Sequence, residues 1–128
     1  MLNKIIIRYA DGLICKGTTE DFFPNKDLFH MSDKDKGGHH EIKISDLKAV
    51  FFVKTFEGNP DYHERLDIER VGLGKKIMVH FKDNEKMIGY TLGYSPTRIG
   101  FILFPADPDS NNEKVFVVID ATRDIYFL

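Results

Sequence analysis

The sequence repeats one pattern, first in residues 4–23 and again in residues 76–95. Aligned without a gap, five positions carry the same residue type in both copies. They are Lys4, Ile5, Asp11, Gly17 and Thr19 in the first copy, and Lys76, Ile77, Asp83, Gly89 and Thr91 in the second. Pro24 then coincides with Pro96. Self-similarity of this kind is the sequence signature of repeated structural units, so the chain is expected to build two similar small units.

Both copies have the alternation of apolar residues that is typical of β-strands. Ile5, Ile7 and Tyr9 occupy alternate positions, and β-branched residues are frequent. The dipeptide after them, Asp11-Gly12, predicts a two-residue type I′ hairpin turn. Gly17 in the returning strand predicts a bulge or a sharp bend. The fold class is therefore predicted to be all-β.

The chain divides into two β-units and a connection. The first unit covers residues 1–53, the second covers residues 76–128, and each would hold about five short strands. Units this small are marginal alone, so the two are expected to share an interface and to fold as one body. Residues 54–75 form the connecting segment, in which Pro60 is placed to begin a short helix. Its Phe56, Tyr62, Leu66 and Ile68 indicate a segment that packs across the two units.

The apolar alternation that leads into Asp11-Gly12, followed by a strand with a glycine, resembles the first half of an Sm-like barrel. That barrel is a small, strongly bent, five-stranded sheet of the SH3-like kind. Residues 47–52 and 122–127 are similar to its last two strands. The resemblance implies two tandem Sm/SH3-like barrels related by internal duplication, and it implies an RNA-binding surface.

Longer segments are similar to an uncharacterised bacterial domain family. They are residues 47–54, 56–60 and 89–96, followed by 100–101, 104–108 and 110–113. This resemblance spans nearly the whole chain. It implies a bacterial cytoplasmic protein and no assigned activity.

Charge and cysteine content limit the functional classes. Lys and Arg total 18 against 20 Asp and Glu, a formal net charge of −2, and this disfavours nucleic acid as a partner because such binding draws on clustered cations. Cys15 has no second cysteine to pair with, so a reducing cytoplasm is the expected location. No apolar run approaches the roughly 20 residues that span a bilayer, so no membrane partner is expected.

The best candidate site is a pair of corresponding connections that each combine an aromatic residue, a proline and a cation. This combination suits a partner peptide or a stacked base, and two asparagines of the second unit are expected to join the surface. Aromatic side chains that pack in the core around a proline turn are the alternative. The candidate binding residues are Phe22, Phe23, Asn25, Lys26, Tyr94, Ser95, Arg98, Asn111 and Asn112.

Metal and catalytic signals are weak. Asp107 and Asp109 have the spacing of the first ligands of a calcium loop, but the later positions of that loop do not fit. His39 and His40 are adjacent, and on a strand adjacent side chains point to opposite faces. No grouping of nucleophile, base and orienting residue is recognisable, so no catalytic residue and no cofactor are predicted.

These observations favour a non-enzymatic binding or regulatory module that engages a protein partner through its loops. One alternative is RNA or nucleotide binding by an Sm-like surface. A second is a metal-dependent protein that uses His39 and His40 or the Asp107 loop. The open sheet edges of such units are covered or paired in natural proteins, and the expectation is a monomer or a homodimer.

Overall fold

A computed structural model describes residues 2–128, and in these residues all regular structure is β-strand apart from two 3₁₀ turns at Ile44–Asp46 and Ile119–Ala121. The all-β prediction is confirmed. None of the described residues forms a helix long and apolar enough to cross a membrane. In chain order the strands are β1 (Asn3–Tyr9), β2 (Ile14–Thr19), β3 (Leu28–Asp33), β4 (His39–Lys43), β5 (Leu47–Val53), β6 (Lys75–Phe81), β7 (Lys86–Thr91), β8 (Gly100–Pro105), β9 (Asn112–Val118) and β10 (Thr122–Phe127).

The ten strands form one antiparallel sheet in the order β10-β6-β7-β8-β9-β5-β1-β2-β3-β4. Within each half, the fifth strand in chain order lies beside the first strand of that half. The fourth strand lies at the opposite end of the half. The registers also correspond, since Ile5 lies opposite Gly17 and Phe52, and Ile77 lies opposite Gly89 and Phe127. The two halves meet where β5 pairs with β9, and β10 and β4 form the free edges of the sheet.

The two central strands are buried on both faces. On β5, Val50 and Phe52 pack into the core of the first half, whereas Ala49 and Phe51 pack into the core of the second. Strand β9 alternates in the same way, and its Phe116 belongs to the first core although it lies in the second half of the sequence. Burial on both faces explains why residues 47–53 and 115–118 read as nearly continuous apolar runs.

The first hairpin turn differs from the two-residue type I′ turn expected at Asp11-Gly12. The Tyr9 N–H donates to the Leu13 carbonyl and the Gly12 N–H donates to the Tyr9 carbonyl, so the loop contains three residues. Only Gly12 has a positive φ, at 101°, whereas type I′ needs two such residues. This geometry is a type I turn followed by one left-handed residue. The expectation was wrong because the sequence did not show where the strands stop pairing.

Gly17 also has a different role from the bulge expected there. The β1–β2 register runs through Gly17 without a shift. A Cβ at this position would overlap the carbonyl oxygen of Ser32 on β3, and one at Gly89 would overlap that of Phe104 on β8. Glycine is therefore required because a neighbouring strand approaches closely.

The connecting segment is ordered by hydrogen bonds, and the short helix expected near Pro60 does not form in it. Instead, the Tyr62 N–H closes a turn on the Asn59 carbonyl at 3.1 Å. The Arg70 guanidinium donates to the Pro105 carbonyl at 2.9 Å, and Lys16 of the first half donates to the Phe56 carbonyl at 3.3 Å. The segment thus contacts both halves.

Candidate functional site

A groove of about 670 Å³ lies where the two halves meet, between the β2–β3 loop and the β7–β8 loop. The β2–β3 loop contributes Pro24 and Asn25, and the β7–β8 loop contributes Thr97 and Arg98. The floor and remaining walls come from Leu92, Gly93, Ile99, Gly100, Phe101, Ile102, Phe104 and Lys114. The two connections singled out from the sequence therefore line one groove.

Each of these loops is held by the same local turn. The Lys26 N–H donates to the Phe23 carbonyl at 3.1 Å, and the Arg98 N–H donates to the Ser95 carbonyl at 3.2 Å. In the second loop the Ser95 and Thr97 hydroxyls are also hydrogen bonded, at 2.9 Å. Proline at the second position of each turn supplies the φ angle that such turns need. Ser95 acts here as a turn residue.

The aromatic residues of the two loops divide between core and surface. The Phe22 ring packs edge-on against Phe52 and Phe116, at centroid distances of 5.2 and 5.1 Å. Tyr94 packs in the same manner against Phe101 at 5.2 Å. Phe22 and Tyr94 therefore fill the cores, as the alternative interpretation expects. Phe23 is half exposed, and the Lys26 ammonium lies 5.1 Å from the centre of its ring.

Two cations border the groove. Arg98 is exposed on the β7–β8 loop, and Lys114 rises from β9 with its ammonium 4.9 Å from the centre of the Phe52 ring. Within residues 2–128, neither side chain forms an ion pair. Sequence reasoning missed Lys114 because its proximity to Arg98 depends on the β8–β9 pairing, which no local pattern reveals.

Asn111 and Asn112 do not line this groove. The Asn111 side-chain oxygen accepts hydrogen bonds from the Thr55 N–H and hydroxyl, each at 3.1 Å, and its amide donates to the Thr55 carbonyl at 2.9 Å. The Asn112 N–H donates to the Ser110 hydroxyl at 3.0 Å. Asn111 thus fastens the connecting segment to the β8–β9 loop.

The carboxylate of Asp107 is buried and already has hydrogen-bond donors. It accepts from the Arg65 N–H and the Asp109 N–H, each at 2.9 Å, and from the Tyr62 hydroxyl. The Arg65 N–H, followed by the Tyr62 hydroxyl, holds the pKa of Asp107 below its ordinary value. The bond to Asp107 raises the pKa of Tyr62 to about 12. These contacts give Asp107 a structural role.

The candidate histidines do not converge on a metal position. The His39 ring stacks on His30 at 5.8 Å, and His40 contacts the Gly37 carbonyl through Nε2 at 3.0 Å. His30 is paired through Nδ1 with Asp21 at 2.7 Å. Partial burial opposes a low pKa for Asp21, but hydrogen bonds from His30 lower it below the ordinary value. Residues 2–128 hold no group of three or more His, Cys, Asp or Glu side chains suited to a metal ion.

A model of a family of unknown function, DUF6982, matches residues 1–128. The chain belongs to this family. The match confirms the expectation of an uncharacterised domain family, and it covers both halves of the sheet. No curated protein matches the chain. No solved structure matches it either.

Proposed function

We propose that this protein is a non-enzymatic binding module that engages a segment of a partner protein in the groove between the β2–β3 and β7–β8 loops. The observation that carries the proposal is the apolar floor of the groove beside two cations without acidic partners. Lone cysteine usage and the bacterial family resemblance support a role in the bacterial cytoplasm.

The fold proposal that accompanies it is a duplication of one Sm/SH3-like unit. Its support is the shared strand order of the two halves and their matching registers. Side-chain contacts recur as well, since the Thr19 hydroxyl donates to the His30 carbonyl at 2.7 Å and the Thr91 hydroxyl donates to the Ile102 carbonyl at 2.8 Å. Loops that connect the strands of such a scaffold commonly carry binding sites.

The chemistry of the groove selects an acidic, partly apolar peptide. Phe101, Ile102 and Phe104 offer an apolar floor for one or two side chains. Arg98 offers a planar guanidinium that accommodates a carboxylate through two parallel hydrogen bonds, and Lys114 adds a second positive charge. A peptide that carries Asp or Glu next to a large apolar residue would satisfy both features.

The test is selection from a library of displayed random peptides, using the full chain as bait. We expect selected peptides to combine Asp or Glu with an apolar residue and to bind the Arg98→Glu, Lys114→Glu double variant at least about tenfold more weakly. The matched control is Arg65→Glu with Lys36→Glu, which makes the same charge change away from the groove. Selected peptides that bind the groove variant and the wild type equally would contradict the proposal.

Nucleotide or RNA binding is the second candidate, favoured by the exposed Phe23 ring beside Lys26. An aromatic face next to a cation suits a stacked base and its phosphate. Fluorescence anisotropy with a labelled single-stranded RNA would then show an affinity that falls with salt and is reduced by Phe23→Ala. Equal binding by wild type and Phe23→Ala, or an absence of binding at low salt, would reject this candidate.

A further inference from the structure

The free edges of the sheet consist of the same two kinds of strand that pair in its centre. Inside the chain, the fifth strand of the first half, β5, pairs with the fourth strand of the second half, β9. The strands left unpaired at the ends are the fifth strand of the second half, β10, and the fourth strand of the first half, β4. The β10 edge therefore corresponds to β5, and the β4 edge corresponds to β9.

The aromatic side chains of β10 are far more exposed than those at the corresponding positions of β5, which has a neighbouring strand on each side. Phe51 and Phe52 of β5 are 6% and 4% exposed. Tyr126 and Phe127 occupy the corresponding register positions of β10, opposite β6, and are 49% and 52% exposed. Natural proteins seldom leave an edge strand with such apolar residues uncovered.

The electrostatic contact across the central junction also has a counterpart at the free edges. Lys48 of β5 is buried and reaches across to Asp83, at 2.6 Å, and to Glu85 in the β6–β7 turn. In the β1–β5 pairing Lys48 has no partner residue on β1, and in the β10–β6 pairing Arg123 has no partner residue on β6. Lys48 and Arg123 therefore occupy corresponding positions. The counterpart of Asp83 is Asp11, in the β1–β2 turn.

The second pair is not formed within residues 2–128, where the Asp11 carboxylate accepts only a local hydrogen bond from the Leu13 N–H at 3.0 Å. Arg123 and Asp11 are exposed, and neither forms an ion pair in the part of the chain that the structure describes. Five strands separate β10 from β1 in the sheet order, so we expect Arg123 and Asp11 to meet only between two copies. Their opposite charges match the Lys48–Asp83 contact in sign and in direction.

We infer that copies of this chain associate head to tail, with β10 of one copy pairing antiparallel with β4 of the next and Arg123 of the first contacting Asp11 of the second. The β5–β9 junction supplies the geometry. The sequence predicts a monomer or a homodimer. A head-to-tail contact leads to neither of these. Two joined copies still leave one β10 edge and one β4 edge free, so further copies can be added until the two ends of the series meet.

Each such junction would also assemble a second groove like the first. At the central junction, Pro24 and Asn25 face Arg98 and Lys114. The corresponding residues between copies are Pro96 and Thr97 of one copy with Lys26 and His39 of the next. Positive or titratable nitrogen groups recur at the positions of the two cations. The second groove is incomplete without the neighbouring copy.

The test is sedimentation velocity of the untagged full chain over a series of concentrations. We expect a mass that rises above that of one chain as concentration increases. Arg123→Glu alone and Asp11→Lys alone should each weaken association at least about tenfold, because each places like charges opposite one another. An equimolar mixture of the two single variants should restore it, since every junction in the mixture can then pair opposite charges.

The matched control is Arg65→Glu, which makes the same charge change on the connecting segment, and thermal melts verify that each variant folds. A single-chain mass at every concentration would overturn the inference. So would association that Arg123→Glu weakens and Asp11→Lys leaves unchanged, because that pattern indicates two β10 edges pairing with each other. A control variant that weakens association as strongly would show a general charge effect and would also overturn it.

Discussion

Replacement of Phe116 by alanine tests whether the two halves fold as one body. The ring is fully buried in the core of the first half, where Phe22 packs against it at 5.1 Å, yet it is carried by β9 of the second half. Truncating a buried Phe costs about 3–5 kcal/mol through lost burial and the cavity left behind. Since a chain of this size loses roughly 4 °C per kcal/mol, the melting temperature of Phe116→Ala should fall by about 12–20 °C.

Thermal melts give the change in melting temperature, and the second assay is urea unfolding followed in parallel by far-ultraviolet circular dichroism and tyrosine fluorescence. Because β5 and β9 serve both cores, we expect one cooperative transition in wild type and variant, with the whole transition moved to lower urea. Phe23→Ala is the matched control: that ring is half exposed, and the change in stability should stay within about 0.5 kcal/mol. Two separate transitions, with only one moved by Phe116→Ala, would refute the shared-core reasoning.

Three further predictions concern single side chains. Gly89→Ala should lower stability by about 1–3 kcal/mol, seen as a lower melting temperature, because a backbone carbonyl of β8 occupies the Cβ position. Lys48→Met keeps the buried volume but removes the hydrogen bond that holds the pKa of Asp83 below its ordinary value. The lowered pKa of Asp83 stabilises the folded state at pH values above the ordinary pKa of the carboxyl group, and this stabilisation is lost as the pH falls. Urea midpoints measured between neutral and acidic pH should therefore vary less in Lys48→Met than in the wild type. Tyr62 ionises at a pKa of about 12 because its hydroxyl binds Asp107, so a spectrophotometric alkaline titration should lose its latest-ionising component in Tyr62→Phe.

Local alternation in the sequence was sufficient to predict the first strand of each half. The patterns around Ile5 and Ile77 correspond to β1 and β6. The turn at Asp11 was located correctly, but its type was wrong because turn type depends on the last paired residues of the strands. The connecting segment was assigned a helix from Pro60 alone, whereas bonds to distant residues such as Asp107 decide its course.

The candidate site depended on long-range pairing to a greater extent. Proline and a cation in each loop singled out the two loops that border the groove, of which Pro24 and Arg98 line it whereas Lys26 and Pro96 do not. Phe22 and Tyr94 could not be assigned to core or surface from the loop sequence, since the rings that cover them come from other strands.

The pairing of β5 with β9 explains both the apolar runs and the position of the groove. A strand with polar residues on one face can lie at the surface of a single unit, but 47–53 has apolar residues on both faces and needs a core on each side. Joining the halves through this strand supplies the second core. It also brings the β2–β3 loop of one half beside the β7–β8 loop of the other, which creates the groove. The half-exposed aromatic residues of β10 are the corresponding observation at the free edge, and the head-to-tail association that we infer would cover them.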